Sequence, residues 1–280
     1  MSRLIGFEGI GELLALPFVQ NAFVAAALLG LVAGALAPLV VARGMGFAVH
    51  GTAELAFTGG AAALLVGISV SVGAVVGAVA AGLVFGLLGL RQRERDSVIG
   101  VVLAFGLGLG VLLLALYEGR ASNKFGLLTG SIVSVDSSNI AILVSVTIVV
   151  LATLAVVYRP LLFASADPDV AVARGVPTRF LSPLFAVLVA LTTALAVPIV
   201  GAILVLSVTI IPGAAAARVT SSPLAATLLA IGIAELALLG GTLLSLVPGL
   251  PISGYVATLA FLAYLVCRLV GRVRGRVRTA

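Results

Sequence analysis

The chain carries very little charge. Only 9% of its 280 residues are Asp, Glu, Lys or Arg, against roughly 25% in an average soluble domain. Hydrophobic residues make up 62%, and the mean hydropathy is +1.33, which excludes a soluble enzyme fold. The apolar runs continue for about twenty residues, whereas a membrane β-barrel alternates polarity within segments of about ten. We therefore predict an all-α, polytopic transmembrane helical bundle.

Three side chains that build metal or nucleotide sites each occur once. Cys267 is the only cysteine, which excludes an intrachain disulfide and a thiolate metal cluster. His50 is the only histidine, so one chain cannot supply a multi-histidine centre. Lys124 is the only lysine and follows Asn123, so the Gly-Lys-Ser/Thr loop that cradles nucleotide phosphates is absent. If ATP drives this protein, a separate polypeptide hydrolyses it, and we predict that this chain is not an enzyme.

Nine apolar stretches approach the length of about 20 residues that crosses a bilayer. Pro198 and Gly201 interrupt the boundary between the sixth and seventh, and broken spans often lie beside a translocation path. We predict an extracytoplasmic interfacial segment at residues 1–21, a transmembrane domain at 22–270 and a basic cytoplasmic tail at 271–280. The predicted spans are residues 22–42, 48–68, 71–90, 98–117, 138–158, 182–198, 199–214, 224–246 and 252–270.

The arginines predict the orientation in the membrane. With nine spans and the C-terminus inside, every basic residue except Arg3, Arg120 and Lys124 falls on the cytoplasmic side. Cytoplasmic loops carry an excess of basic residues in membrane proteins. The arginines from Arg268 to Arg278 are predicted to lie at anionic lipid headgroups, and we expect no nucleic-acid binding.

Three ionisable residues fall well inside predicted spans. His50 and Glu54 are four residues apart, so they share one face of a helix. An imidazole and a carboxylate together suit zinc, manganese or ferrous iron, and intramembrane charges usually mark a transport path. The alternative is an internal His–Glu hydrogen bond that neutralises the helix. Glu235 either completes a metal path from another helix or pairs across helices with a serine or threonine.

Four passages give the chain a resemblance to a known family, the membrane permeases of ABC importers for zinc, manganese and iron, which are related to siderophore and vitamin B12 permeases. The most specific is VPIVGAILVLSVTIIPGAAAAR at residues 197–218. The others are ERDSVIGVVLAFG at 94–106, DPDVAVARGVPTRFL at 167–181 and GFAVHGTAELAFTGG at 46–60. In the last, His50 and Glu54 stand where the family has aspartate and histidine, so the spacing is kept and the residue types are exchanged.

The resemblance implies a fold and a division of labour. The fold would be that of a vitamin-B12-permease-like, type II importer in a prokaryotic cell membrane. A second permease chain, most simply an identical one, an ABC ATPase and an extracytoplasmic metal-binding protein would complete the importer. The transported ion would be zinc, manganese or iron, without a permanently bound cofactor. The residues that would couple the permease to the ATPase are Pro212, Gly213, Ala214, Ala215, Ala216, Ala217 and Arg218.

Two other functions stay open at this point. An ABC permease for a metal chelate or other cofactor would share the fold and could explain the exchanged His50 and Glu54. A stand-alone secondary transporter or channel would use Glu54 and Glu235 as proton or ion sites and would need no ATPase. Co-purification of an ATPase distinguishes an importer from a stand-alone transporter.

Overall fold

A computed structural model of the chain describes residues 14–87, 92–119, 121–130, 137–246 and 251–279, and every regular element in those ranges is a helix. The predicted all-α fold is therefore confirmed. Helices are expected here because lipid offers no hydrogen-bond partners to the backbone, so each span must satisfy its own. Residues 1–13 of the predicted N-terminal segment and the basic turn at Arg91 lie outside the described ranges.

We number twelve α-helices in the described part of the chain, and a short 3-10 helix, Ala202–Leu204, lies between α8 and α9. The helices are α1 (Pro17–Ala42), α2 (Gly46–Val66), α3 (Val70–Leu87), α4 (Gln92–Leu116), α5 (Ala121–Thr129), α6 (Ser137–Ala166), α7 (Pro168–Ala173), α8 (Thr178–Val200), α9 (Val205–Thr209), α10 (Ile211–Ala216), α11 (Pro223–Leu246) and α12 (Ile252–Thr279). Helix α1 begins before the predicted boundary at residue 22. Helix α12 runs without a break into the predicted basic tail.

The apolar helices agree with the predicted count of about nine spans. Seven are long and apolar enough to cross a membrane, and two are shorter, Val70–Gly86 and Ala202–Ala216. The second of these reaches only about 22 Å at about 1.5 Å per residue, less than the hydrocarbon thickness of about 30 Å. Gly201 explains the break before it, because its φ of 88° and ψ of 152° suit only glycine. The predicted seventh span is thus a short, interrupted helix.

Three helices form the centre of the bundle. Helices α1, α2 and α8 are buried over most of their length, whereas only a small part of α4, α6 and α12 is buried. Helix α2 packs against α3, α4 and α8, and α1 packs against α11 and α6. Helices α1, α2 and α8 therefore form the core of the bundle.

Contacts between helix ends define two ends of the bundle. At one end, Arg43 Nε donates to Ser165 Oγ at 2.7 Å and joins α1 to α6. The Arg43 guanidinium also lies 5.1 Å from the centre of the Phe185 ring on α8. At the other end, a Cβ on Gly201 would lie 2.3 Å from the Leu128 carbonyl oxygen, so α5 covers the end of α8. Helix α8 thus runs from one end to the other.

The predicted orientation can be tested with one cysteine at each end. In a Cys267→Ser background, Glu118→Cys should react with an impermeant maleimide in intact cells, whereas Arg174→Cys should react only after the membrane is opened. Both side chains are exposed, so burial does not protect either one, and the positive-inside rule places Arg174 in the cytoplasm. Labelling of Arg174→Cys in intact cells would show that the predicted orientation is wrong.

Candidate functional site

Helix α2, which carries His50 and Glu54, is held in place by backbone contacts with α3. A Cβ on Gly59 would lie 2.1 Å from the carbonyl oxygen of Gly73, and a Cβ on Gly77 would lie 2.1 Å from that of Leu55. Small residues allow this approach, and close packing is a main source of helix association in lipid. Helix α4 packs on another side of α2. The position of the site is therefore fixed by the backbone.

Glu54 is the most buried carboxylate at this site. Its side chain is 4% exposed, and Oε2 has no hydrogen-bond partner among the described residues. Thr58 Oγ1 lies 2.8 Å from the backbone oxygen of Glu54 and 2.6 Å from that of Gly106, so it links α2 to α4 without using the carboxylate. The carboxylate is thus held in a packed interior with a free oxygen.

His50 lies one helical turn from Glu54 and is half-buried. Its Nδ1 also lacks a hydrogen-bond partner among the described residues. The neutralising hydrogen bond that the sequence left open is not formed between these two side chains in the described structure. Buried polar atoms are normally hydrogen-bonded, and the exceptions call for a specific explanation. Together the two residues offer one nitrogen and one oxygen to a cation.

Glu235 lies on α11, against α1. A Cβ on Gly30 would lie 2.8 Å from both Cδ and Oε1 of Glu235, so the carboxyl occupies the space that the glycine leaves. Its Oε2 is buried without a hydrogen-bond partner among the described residues, and no bond to a serine or threonine is formed there. The described residues contain no group of three His, Cys, Asp or Glu side chains suited to a metal ion. Glu235 therefore does not join His50 and Glu54 in one cluster.

Most of the predicted coupling residues pack inside the bundle. Pro212, Gly213, Ala215 and Ala216 are buried, Ala214 is half-buried, and only Ala217 and Arg218 are exposed. A Cβ on Gly213 would lie 2.4 Å from the carbonyl carbon and oxygen of Ala37, so α10 rests on the backbone of α1. In this region, the surface that a partner could contact is therefore limited to Ala217, Arg218 and the loop that follows.

A second exposed surface lies at the same end of the bundle, in the segment from α7 to the start of α8. Asp167 caps α7, because the Val170 backbone N–H donates to its Oδ1 at 3.0 Å. Val170, Val172 and Phe180 are 43%, 58% and 63% exposed. The sequence analysis identified this segment by its resemblance to the permease family, and its apolar residues are the signal that could have revealed an exposed surface.

Two curated proteins illustrate what the chain is similar to. It is 30% identical to the manganese transport system membrane protein MntC of Halalkalibacterium halodurans. The similarity extends over 222 residues, which are 79% of this chain and 75% of that protein. It is also 30% identical over 221 residues to the manganese import system permease protein ScaB of Streptococcus parasanguinis, which covers 79% of each chain.

Solved structures share the fold. PsaBC from Streptococcus pneumoniae, in complex with Fab, matches with a TM-score of 0.82 and 26% identity over 93% of this chain and 94% of that chain. An inward-facing metal-chelate type ABC transporter matches in fold, with a TM-score of 0.69 and 19% identity over 95% and 92% of the two chains. Residues 15–271 match the ABC 3 transport family. The chain, with its helical membrane bundle, belongs to that family.

Proposed function

We propose that this protein is the transmembrane permease subunit of an ATP-driven importer for divalent transition metal ions, with manganese as the first substrate to test. The observation that carries the proposal is the pair His50 and Glu54, whose coordinating atoms are unused inside the bundle. The names of the two manganese relatives support the choice of metal.

The ion would pass the pair as a substrate, with no resident cofactor. One imidazole and one carboxylate make a weak site on their own, which suits a path that must release its ion. A second, identical permease chain would bring a second His50–Glu54 pair to the path. Glu235 is retained as a separate candidate on the path, because its Oε2 is buried without a hydrogen-bond partner among the described residues.

ATP hydrolysis would take place in a separate ATPase subunit. We place its docking surface on Val170, Val172 and Phe180, together with Ala217 and Arg218, because these residues are exposed at the arginine-rich end of the bundle. That end would face the cytoplasm of a prokaryotic cell, and the C-terminus with it. An extracytoplasmic metal-binding protein would deliver the ion to the opposite end, which carries Glu118 and Lys124.

Phe180→Asp should reduce co-purification of the ATPase by about tenfold or more, because exposed aromatic residues at an interface commonly contribute the largest share of binding. The measurement is the ATPase-to-permease ratio after affinity purification of the full complex. Phe180→Leu keeps an apolar side chain and is the matched control, for which we expect a ratio near that of wild type. An unchanged ratio for a folded Phe180→Asp protein would place the docking surface elsewhere.

The function itself is tested by uptake in bacteria that lack their own manganese importers. Expression of the permease with its ATPase should restore uptake of radiolabelled manganese, and an ATPase variant that binds but does not hydrolyse ATP should not. Zinc, ferrous iron and a manganese chelate are added in competition. Uptake that persists with the inactive ATPase would indicate a stand-alone transporter, and inhibition by the chelate alone would indicate a chelate permease.

A further inference from the structure

Arginines gather on α12 near the point where this helix leaves the bundle. Arg218, in the loop after α10, places Nη2 3.5 Å from Tyr264 Oη. A Cβ on Gly271 would lie 2.2 Å from the Arg218 carbonyl oxygen, so the loop contacts α12 there as well. Arg268 and Arg272 follow Tyr264 at intervals of four residues, which places all three on one side of the helix. Arg218 thus lies beside a row of two further arginines.

These arginines have no negative partner in the described structure. None of Arg218, Arg268 and Arg272 forms an ion pair with a described residue, and all three side chains are exposed. The sequence has no Asp or Glu after Glu235, so the remainder of α12 cannot supply a partner either. Three guanidinium groups in such a short stretch repel one another, and an anion between them would relieve that repulsion. Guanidinium groups bind phosphate in a bidentate manner.

The surface beside the arginines is apolar. Helix α12 is the least buried of the long apolar helices. Phe261 and Leu265, which precede Arg268 and Arg272 on the same side of the helix, are 53% and 36% exposed. A small hydrophilic anion would leave these side chains uncovered, whereas an amphiphile would cover them with its hydrocarbon chains. The surface therefore fits a ligand with an anionic head and an apolar tail.

We propose that Arg218, Arg268 and Arg272 form a binding site for the phosphate headgroup of an anionic phospholipid, whose acyl chains lie along α12. The proposal goes beyond metal transport and does not depend on it. Because Arg218 belongs to the loop after α10, a bound lipid would also hold that loop against α12. The loop carries Ala217 and Arg218, the exposed end of the region predicted to contact the ATPase, so membrane composition would act on the docking surface.

Native mass spectrometry of the full chain, mixed with phosphatidylglycerol and phosphatidylcholine of matched acyl chains, tests the site. The wild-type protein should retain more phosphatidylglycerol than phosphatidylcholine. Each arginine near an anionic membrane contributes about fivefold in binding, so three would contribute roughly a hundredfold. Arg218→Gln, Arg268→Gln and Arg272→Gln in one chain should lower the preference by about tenfold or more. The corresponding triple lysine variant keeps the charges and should keep most of the preference, which separates charge loss from misfolding.

Arg174→Gln with Arg179→Gln is the matched control, because it removes two exposed arginines at the same end of the bundle. This variant should show the wild-type preference for phosphatidylglycerol. If it loses as much of that preference as the triple glutamine variant does, the lipid is attracted by the overall positive charge and not by a specific site. Excess glycerol phosphate should not displace phosphatidylglycerol; if it does, the arginines bind free phosphate and the lipid assignment is wrong. A folded triple glutamine variant that keeps the wild-type preference would also overturn the proposal.

Discussion

Glu54→Gln should reduce ATP-dependent manganese uptake by about a hundredfold or more, since even the loss of a residue that only supports a metal ligand costs about 10–100-fold in affinity. Glutamine has nearly the volume of glutamate, so α2 keeps its packing against α3 and α4. The neutral amide cannot supply the negative charge that a divalent cation needs in a buried site. The measurement is the initial rate of radiolabelled manganese uptake by cells that contain the permease and its ATPase.

The controls for this prediction separate a transport role from a structural one. Glu118→Gln makes the same change at an exposed carboxyl outside the long apolar helices and should leave uptake unchanged. His50→Ala should abolish uptake as Glu54→Gln does. If the double variant His50→Leu with Glu54→Leu transports normally, both residues are removed from the mechanism. Glu235→Gln, measured in parallel, decides whether the second buried carboxyl belongs to the path.

The bundle was largely predictable because the bilayer sets the length of each span. Continuous apolar stretches had to become helices, and each one predicted between residues 22 and 270 is helical in the described structure. The seventh span was harder, because sequence composition does not reveal the backbone conformation at Gly201. Its positive φ ends α8 at Val200 and leaves only a short helix beyond it. Hydropathy predicts the length of an apolar stretch, whereas the break between α8 and the short helix after it depends on one residue, Gly201.

The site was predictable in part for a different reason. His50 and Glu54 stood out because ionisable side chains within an apolar span are costly and rare. Their relation to Glu235 was not predictable, since it depends on which helices pack together, and α11 packs on α1. The resemblance to the permease family implied that Ala215 and Ala216 couple the chain to the ATPase, and small residues also serve close helix packing within one chain. The structure buries both completely.

The contact between α2 and α3 leads to the second large expected effect, the result of Gly77→Ala. The added Cβ would lie 2.1 Å from the carbonyl oxygen of Leu55, a backbone atom that cannot move aside without moving α2. Overpacking of a close contact typically costs about 1–3 kcal/mol, which corresponds to a fall of roughly 3–10 °C in the thermal midpoint of a chain this large. The measurement is the unfolding midpoint of the purified permease in detergent.

Gly108→Ala is the matched control, because a Cβ at Gly108 meets nothing within 4 Å and the substitution is the same. It should leave the thermal midpoint unchanged or raise it slightly, since alanine favours a helix more than glycine does. Gly77→Ala should also lower manganese uptake in protein that still assembles, because Leu55 follows Glu54 directly and its displacement moves the carboxylate. A variant with wild-type stability and wild-type uptake would show that α2 and α3 separate easily. The backbone contact would then not be what holds Glu54 in place.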